Sequence, residues 1–178
     1  LIYNLNFSHK INSNTNLNIS LFGLNAKRNS LGFRTNRVDQ IDPINERDLI
    51  NGDFNNFGGE IRLLSNYKFF NYKSPFLIGL KIYNSNNKSI QGPGSDGYDA
   101  NFTIKESLYP NYTNQSSYKY PNSNIAFFGE NIFYISDSFS ITPGFRYEFI
   151  KTTSEGYYKK INLDGAGNVI LNNTVDNS

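Results

Sequence analysis

The stretch that decides the fold class is ISDSFSITPGFRYEFI, residues 135–150. After its Asp137–Ser138 pair, the odd-numbered positions are apolar or aromatic: Phe139, Ile141, Pro143, Phe145, Tyr147 and Phe149. The even-numbered positions are mostly small or polar: Ser140, Thr142, Gly144, Arg146, Glu148 and Ile150. Alternation with a period of two indicates a β-strand with two unlike faces. This strand sets an unbroken apolar face beside a face that carries an arginine and a glutamate.

The same alternation recurs along the chain, and no segment keeps an apolar helical period. The predicted strands lie at 1–9, 16–26, 57–69, 76–83, 124–135 and 139–149. The connections between these strands alternate in length. The short connections are KINSNT, FNYKSP and SDS, and the long ones are residues 27–56, residues 84–123 and the tail 151–178.

This alternation of connections places every long loop at one end of an antiparallel sheet. Compact soluble domains seldom carry loops longer than about 12–15 residues. Long loops at one end and tight turns at the other are typical of outer-membrane β-barrels, in which about 9–11 residues per strand cross the bilayer. The sequence therefore predicts an all-β fold, in which antiparallel up-and-down strands form part of a transmembrane outer-membrane β-barrel.

The barrel explains why the strand at 139–149 has two unlike faces. Inside a bilayer every backbone polar group must be paired within the protein, so a spanning sheet has to close on itself. We expect the odd-numbered face to contact lipid and the face with Arg146 and Glu148 to line a watery lumen. Aromatic residues flank the short turns and predict an interfacial girdle: Phe7, Tyr67, Phe69, Phe70, Tyr72, Phe76, Phe133, Tyr134 and Phe139.

Composition excludes several classes of function. The net charge is +2, and no basic stripe indicates nucleic-acid binding. The chain has no cysteine and a single histidine, His9 beside a turn, so the usual zinc ligands are missing. GPGSDG at 92–97 matches G-x-G-x-x-G, but Pro93 interrupts it and no helix follows, which favours a loop tip. We expect no catalytic residue, no metal site and no cofactor, so the protein is not predicted to be an enzyme.

The first long loop carries the candidate binding residues. Its first half is basic and its second half is acidic, which allows both an anion site and internal salt bridges. The planar guanidinium of arginine suits carboxylate and phosphate ligands. We predict Arg28, Arg34 and Arg37 as ligand-binding residues, with a charged surface loop as the equal alternative. For Arg47 an internal salt bridge is the favoured interpretation.

A resemblance to a known family narrows the function. The segment NIAFFGENIFYISDSFSITPGFRYEF, residues 124–149, resembles a strand pair of TonB-dependent outer-membrane receptors. The family pattern T-P-G-x-R-Y-E is matched by Thr142, Pro143, Gly144, Arg146, Tyr147 and Glu148. A second stretch, LNAKRNSLGFR and ERDLINGDFNNFGGEIRLLSNY, is similar to the branch that takes up ferric dicitrate.

The resemblance implies a receptor in the bacterial outer membrane that takes up a ferric chelate. Its implied partners are outer-membrane lipid, an anionic ferric chelate such as ferric citrate or a siderophore, and the TonB complex acting through a plug region. We expect residues 1–178 to be a partial β-barrel domain of about six strands, an internal slice without the plug and the remaining strands.

Two other functions remain open from the residues alone. One is a soluble or surface-anchored β-sandwich that binds glycans or adheres to surfaces, with its apolar face buried between sheets. The other is a porin-type barrel that works without energy input. Detergent-dependent solubility separates the barrel from the sandwich, and a plug separates the receptor from the porin.

Overall fold

The computed structural model describes residues 1–33, 39, 41–42, 44–96, 101–108 and 112–177. Nearly all regular structure in these residues is strand: β1 Ile2–Asn12, β2 Thr15–Gly32, β3 Asp48–Phe69, β4 Tyr72–Pro93, β5 Asn114–Asn131, β6 Phe133–Ser136, β7 Phe139–Ile141, β8 Gly144–Thr152, β9 Glu155–Leu163 and β10 Val169–Asn177. One short 3₁₀ turn lies at Glu106–Leu108. Within these ranges no helix is long and apolar enough to cross a bilayer.

The strands form an eight-stranded sheet in the order β1-β2-β3-β4-β5-β9-β10, with β8 also paired to β5. The hairpin of β6 and β7 makes a second, two-stranded sheet. It continues the β5–β8 pairing in the same register, and the Asn131 amide donates to the Pro143 carbonyl at 3.0 Å between them. Proline has no N–H, so the ladder is interrupted at that position. The predicted all-β fold of antiparallel barrel strands is confirmed.

The chain divides into two compact units. Each of the strands β2, β3, β4 and β5 has one part in the first unit and the other part in the second. The first unit comprises residues 1–25, 55–85 and 122–152, and the second comprises residues 26–54, 86–121 and 153–178. The first unit contains the three short turns predicted from the sequence and nearly all of the predicted alternating strand segments. The second unit contains the candidate arginine Arg28 and the ends of the long loops.

The strands are longer than the sequence predicts, and this corrects the three predicted loops. β2 continues to Gly32 and β3 begins at Asp48, β4 continues to Pro93, and the predicted tail 151–178 contains β9 and β10. Part of this added length has polar residues on both faces, as in NSNNKS at 84–89. Backbone pairing holds such a segment as a strand without giving it an apolar period.

The length of the strands agrees with a barrel whose strands extend beyond the bilayer. β3 and β4 have 22 residues each. At about 3.3 Å per residue such a strand covers roughly 70 Å, whereas the hydrocarbon core is about 30 Å thick. Apolar alternation is needed only where a strand contacts lipid, so the polar ends are expected.

In the first unit, aromatic rings cover glycines on neighbouring strands. Tyr3 stands directly opposite Gly23 in the β1–β2 ladder, and Phe145 stands opposite Gly129 in the β5–β8 ladder. A Cβ on Gly129 would lie 3.0 Å from the Phe145 ring, and one on Gly23 would overlap Tyr3. The rings thereby fill the space that a side chain would otherwise take, as in aromatic rescue of glycine in designed sheets.

In the second unit, Gly156 is required by its backbone. Its φ is +148°, and it pairs with Tyr118 on β5 and with Asn177 on β10. A Cβ at this position would collide with the Ser117 carbonyl oxygen, which belongs to rigid backbone.

We predict that Gly156→Ala destabilises the full-length protein by about 1–3 kcal/mol, the typical cost of a strained backbone position. The measurement is the urea midpoint of unfolding of the full-length protein in lipid vesicles. Gly165→Ala is the control, because nothing lies within 4 Å of its added Cβ. Equal midpoints for the two variants would contradict the assigned role of Gly156.

The tight turn DGAGN, residues 164–168, closes the β9–β10 hairpin. The Asp164 carboxylate accepts hydrogen bonds from the amides of Ala166 at 2.9 Å and Asn168 at 2.7 Å, and from the Asn168 side chain at 2.9 Å. These bonds, led by the one from the Asn168 side chain, lower the pKa of Asp164 below its usual value. Gly167 completes the turn with φ at +85°.

We predict that this turn loosens in acid. Because the folded-state pKa of Asp164 is depressed, its stabilising effect is present above the ordinary aspartate pKa of about 3.9 and is lost as the pH falls through the lower folded value. Amide hydrogen exchange of Ala166 and Asn168, corrected for intrinsic rates, reports the opening. If Asp164→Ala shows the same pH dependence of protection as the native chain, Asp164 does not hold the turn.

Candidate functional site

The two faces of the β5–β8 ladder differ in chemistry. Residues directly opposite each other in an antiparallel ladder share a face. One face carries the pairs Ile125–Phe149, Phe127–Tyr147 and Gly129–Phe145, and the other carries Ala126–Glu148 and Phe128–Arg146. Phe145, Tyr147 and Phe149 are 54%, 74% and 60% exposed, so the rings have no protein layer over them among the described residues. This exposure is the one predicted for the odd-numbered face.

The opposite face holds its charges in pairs. Arg146 donates to Glu148 at 2.6 Å, and the Asn124 side chain donates to the same carboxylate oxygen at 3.1 Å. The Arg146 guanidinium also lies over the Phe128 ring at 5.5 Å. Hydrogen-bonded ion pairs of this kind suit a wet lumen and not a hydrocarbon phase.

We predict that spin labels distinguish these faces in the full-length receptor in vesicles. A label at position 145 (Phe145→Cys) should be relaxed mainly by oxygen, which concentrates in lipid, and a label at 146 (Arg146→Cys) mainly by a water-soluble nickel chelate. Neither position competes with a native thiol, since the chain has no cysteine. The reverse pattern, with position 146 more accessible to oxygen, would show that the orientation is wrong.

Aromatic residues at the short turns contact one another across strands. Phe69, at the end of β3, lies 4.6 Å from Phe70 and 5.0 Å from Phe133, both edge-on. Asn131 donates to the Tyr67 hydroxyl at 2.9 Å. Rings with a polar partner are typical of the membrane interface. The cluster supports the predicted girdle, although its depth in a bilayer stays a prediction.

Of the three candidate arginines, the structure describes Arg28 and does not describe Arg34 and Arg37. The Arg28 guanidinium lies over the Phe54 ring at 5.9 Å, and the side chain is exposed. Among the described residues Arg28 makes no ion pair. Its neighbour Lys27 lies 3.8 Å from Asp53. Arg34 and Arg37 lie outside the described residues, so their predicted role stays a prediction.

Arg47 belongs to the structural part of the loops. Its guanidinium pairs with Asp42, and its side chain is only 12% exposed. Its amide donates to the Ser95 carbonyl at 3.1 Å, and its carbonyl accepts from the Gly94 amide at 2.7 Å. The favoured interpretation of Arg47 as an internal salt-bridge residue is therefore confirmed.

Further contacts that the sequence did not reveal order the ends of the long loops. The Asp48 carboxylate accepts hydrogen bonds from the Tyr112 hydroxyl at 2.5 Å and from the Asn114 side chain at 2.9 Å. The two donors follow Asp48 in the sequence by 64 and 66 positions. Lys105 pairs with Asp96 at 3.0 Å, and this ammonium lowers the pKa of the Asp96 carboxyl. No sequence pattern indicates that the members of either contact lie together.

A small apolar contact lies beneath these polar ones. Leu49 is fully buried, and a Cβ on Gly94 would lie 3.0 Å from it. Gln115 is only 2% exposed and donates to the Tyr112 carbonyl at 2.7 Å. The described part of the loops is therefore held by hydrogen bonds, an ion pair and apolar contact, and Arg28 lies on strand β2. Among the described residues, no cluster of three or more His, Cys, Asp or Glu side chains is arranged to hold a metal ion.

The fold and faces define an outer-membrane type of β-barrel segment: antiparallel strands, tight turns, an exposed apolar face and a paired-charge face. Comparison with known families adds that residues 1–172 match the family described as TonB dependent receptor-like, beta-barrel. The chain belongs to this family. Comparisons with curated proteins and with solved structures found no match.

The family assignment sets the class of function. Its members are receptors and transporters of the bacterial outer membrane that work with TonB, and they are not enzymes. The assignment favours an energised receptor over the porin and over the adhesive sandwich. The ferric dicitrate branch and the nature of the chelate do not follow from it.

Proposed function

We propose that this TonB-dependent receptor takes up an anionic ferric chelate, with ferric citrate as the first candidate, and that Arg28, Arg34 and Arg37 contribute to binding. In this proposal residues 1–178 are one part of a larger barrel, and energy from the TonB complex arrives through a plug region. The likeness of residues 24–34 and 46–67 to the ferric dicitrate branch and the basic first half of the loop support this choice of ligand.

The observation that carries the proposal is the state of Arg28. An aromatic ring can hold a guanidinium in place without neutralising its positive charge, as a carboxylate partner would. The N–H groups at the edge of the guanidinium can then donate to a ligand. Arg28 has such a ring in Phe54 and has no ion-pair partner among the described residues. Lys27, which is next in sequence, points to the other side of the strand and already has Asp53 within 3.8 Å.

Ferric citrate presents carboxylates that match such a site. Arginine binds a carboxylate through parallel N–H donors, and these charge-assisted bonds are about twice as strong as neutral ones. Gly52 supports the arrangement, because a Cβ there would lie 3.2 Å from the Phe54 ring and 3.7 Å from the Arg28 carbonyl oxygen. The mechanism would be capture at the mouth followed by TonB-driven passage, with no covalent step.

The test uses the full-length receptor and ferric citrate. Arg28→Ala should raise the Kd at least about tenfold, since one hydrogen-bonded contact to a charged group contributes about 1.5–3 kcal/mol. Lys27→Ala removes the same charge from the neighbouring residue and should change the Kd less than about twofold, the size of an exposed ion pair. Arg34→Ala and Arg37→Ala complete the series. Unchanged affinity in all three arginine variants would end the site proposal.

A further inference from the structure

The first unit contains the same spatial arrangement twice: an aromatic ring lies against a glycine of a neighbouring strand, and a cation lies over that ring. Phe22 lies against Gly58, where an added Cβ would be 2.7 Å from the ring, and the Lys81 ammonium lies over the same ring at 5.6 Å. Phe128 lies against Gly79, and Arg146 lies over that ring at 5.5 Å. Because glycine has no side chain, each ring can lie close to the neighbouring strand and turn its face outward to the cation.

Both arrangements lie on the polar face of their ladders. Phe22 stands opposite Asn4 in the β1–β2 ladder, and the next pair on that face is Ser20–Asn6, joined by a 2.5 Å hydrogen bond. Phe128 stands opposite Arg146 on the face of Glu148. The apolar partners Leu5–Leu21 and Phe127–Tyr147 lie on the other face. In a barrel of this family, the polar face lines the interior.

The two cations differ in their charge balance. Arg146 is paired with Glu148, and on the same sheet Arg62 is paired with Glu60. Lys81, in contrast, makes no ion pair within the described part of the chain, although it is near enough to Glu148 to interact electrostatically. These three cations and two carboxylates leave one positive charge, and it resides on Lys81.

Lys81 is also more confined than an ordinary surface lysine. Its side chain is half-buried, and its supporting ring is itself stacked on Tyr83 at 6.4 Å. An ammonium that is positioned by a ring and not by a carboxylate keeps its capacity for an anion. Partial burial also reduces the screening of its charge by salt.

We propose that Lys81 forms an anion-binding position on the interior wall of the barrel, which receives the anionic solute after its capture at the mouth. This inference rests on the proposed function for the identity of the solute. Phe22 and Gly58 act as positioning residues. The nearby carboxylates Glu148 and Glu60 are each paired with an arginine of their own, Arg146 and Arg62. The ligand chemistry is a carboxylate or another small anion.

The first arm of the test needs no chelate. Crystals of the full-length receptor soaked in bromide should show an anomalous peak at the Lys81 ammonium. The peak should vanish in Lys81→Gln and persist in Lys81→Arg. Lys88→Gln is the matched control, an exposed lysine on the same strand, and should leave the peak unchanged. Absence of bromide in the native receptor, or a peak that survives Lys81→Gln, overturns the anion position.

The second arm measures transport of iron-55 citrate in energised cells and binding in de-energised cells. Lys81→Gln should slow uptake about three- to fivefold, the effect of one partly screened charge contact, while binding stays at the native level. Equal uptake by Lys81→Gln and Lys88→Gln overturns the role in transport. If native cells bind no ferric citrate, the proposed function fails, and the bromide arm still decides whether Lys81 holds an anion.

A protein carboxylate inside the barrel is the competing occupant. In that case Lys81→Gln lowers the thermal unfolding temperature of the full-length receptor, and no bromide peak forms in the native protein. That combination would assign Lys81 to an internal ion pair and overturn the inference.

Discussion

The structure depends on the rule that no backbone N–H or C=O group can stay unpaired in hydrocarbon. This rule forces long antiparallel ladders on a chain that is otherwise polar and poor in aliphatic residues. Because the hydrogen-bonded ladder and not a packed core holds the strands together, the side chains do not have to form a core and can contact lipid or water instead. In the described ranges the buried hydrophobic residues are few, namely Leu49, Ala126 and Ile161, and the sheet encloses no large packed core.

The same rule divides the chemistry between the two faces of each strand. Rings and aliphatic side chains collect on one parity, where their transfer to lipid is favourable. Charges collect on the other and are held as pairs, such as Arg146–Glu148, or over rings, such as Lys81 on Phe22. Glycines at 23, 58, 79 and 129 let the rings of neighbouring strands lie close to the sheet. Lipid contact, fixed interior charge and close strand packing therefore come from one alternating pattern.

The sequence predicted the fold class and the strand cores because lipid contact imposes a period of two, as Phe145, Tyr147 and Phe149 show. It placed the short turns correctly for the same reason. It missed the strand ends at Gly32, Asp48, Pro93 and Asn114, where polar segments such as NSNNKS leave no apolar period, and it assigned β9 and β10 to a polar tail. Of the candidate site, it proposed Arg28, whose binding role stays a prediction, and it separated Arg47 from it. It could not find the Asp48–Tyr112 bond or the Phe22–Lys81 contact, because these join residues far apart in sequence.

The most direct measurement is residue-resolved labelling of the full-length receptor with a carbene precursor dissolved in the acyl-chain region, read by mass spectrometry. Label should appear on Phe57 and Ile61 in β3 but on Leu80 and Ile82 in β4, so that the labelled parity changes from odd to even across one hairpin. Glu60, Arg62 and Lys81 should remain unlabelled. Label on those charged residues, or a labelled parity that does not alternate within a strand, would contradict a sheet that turns its rings to lipid and its charges to water.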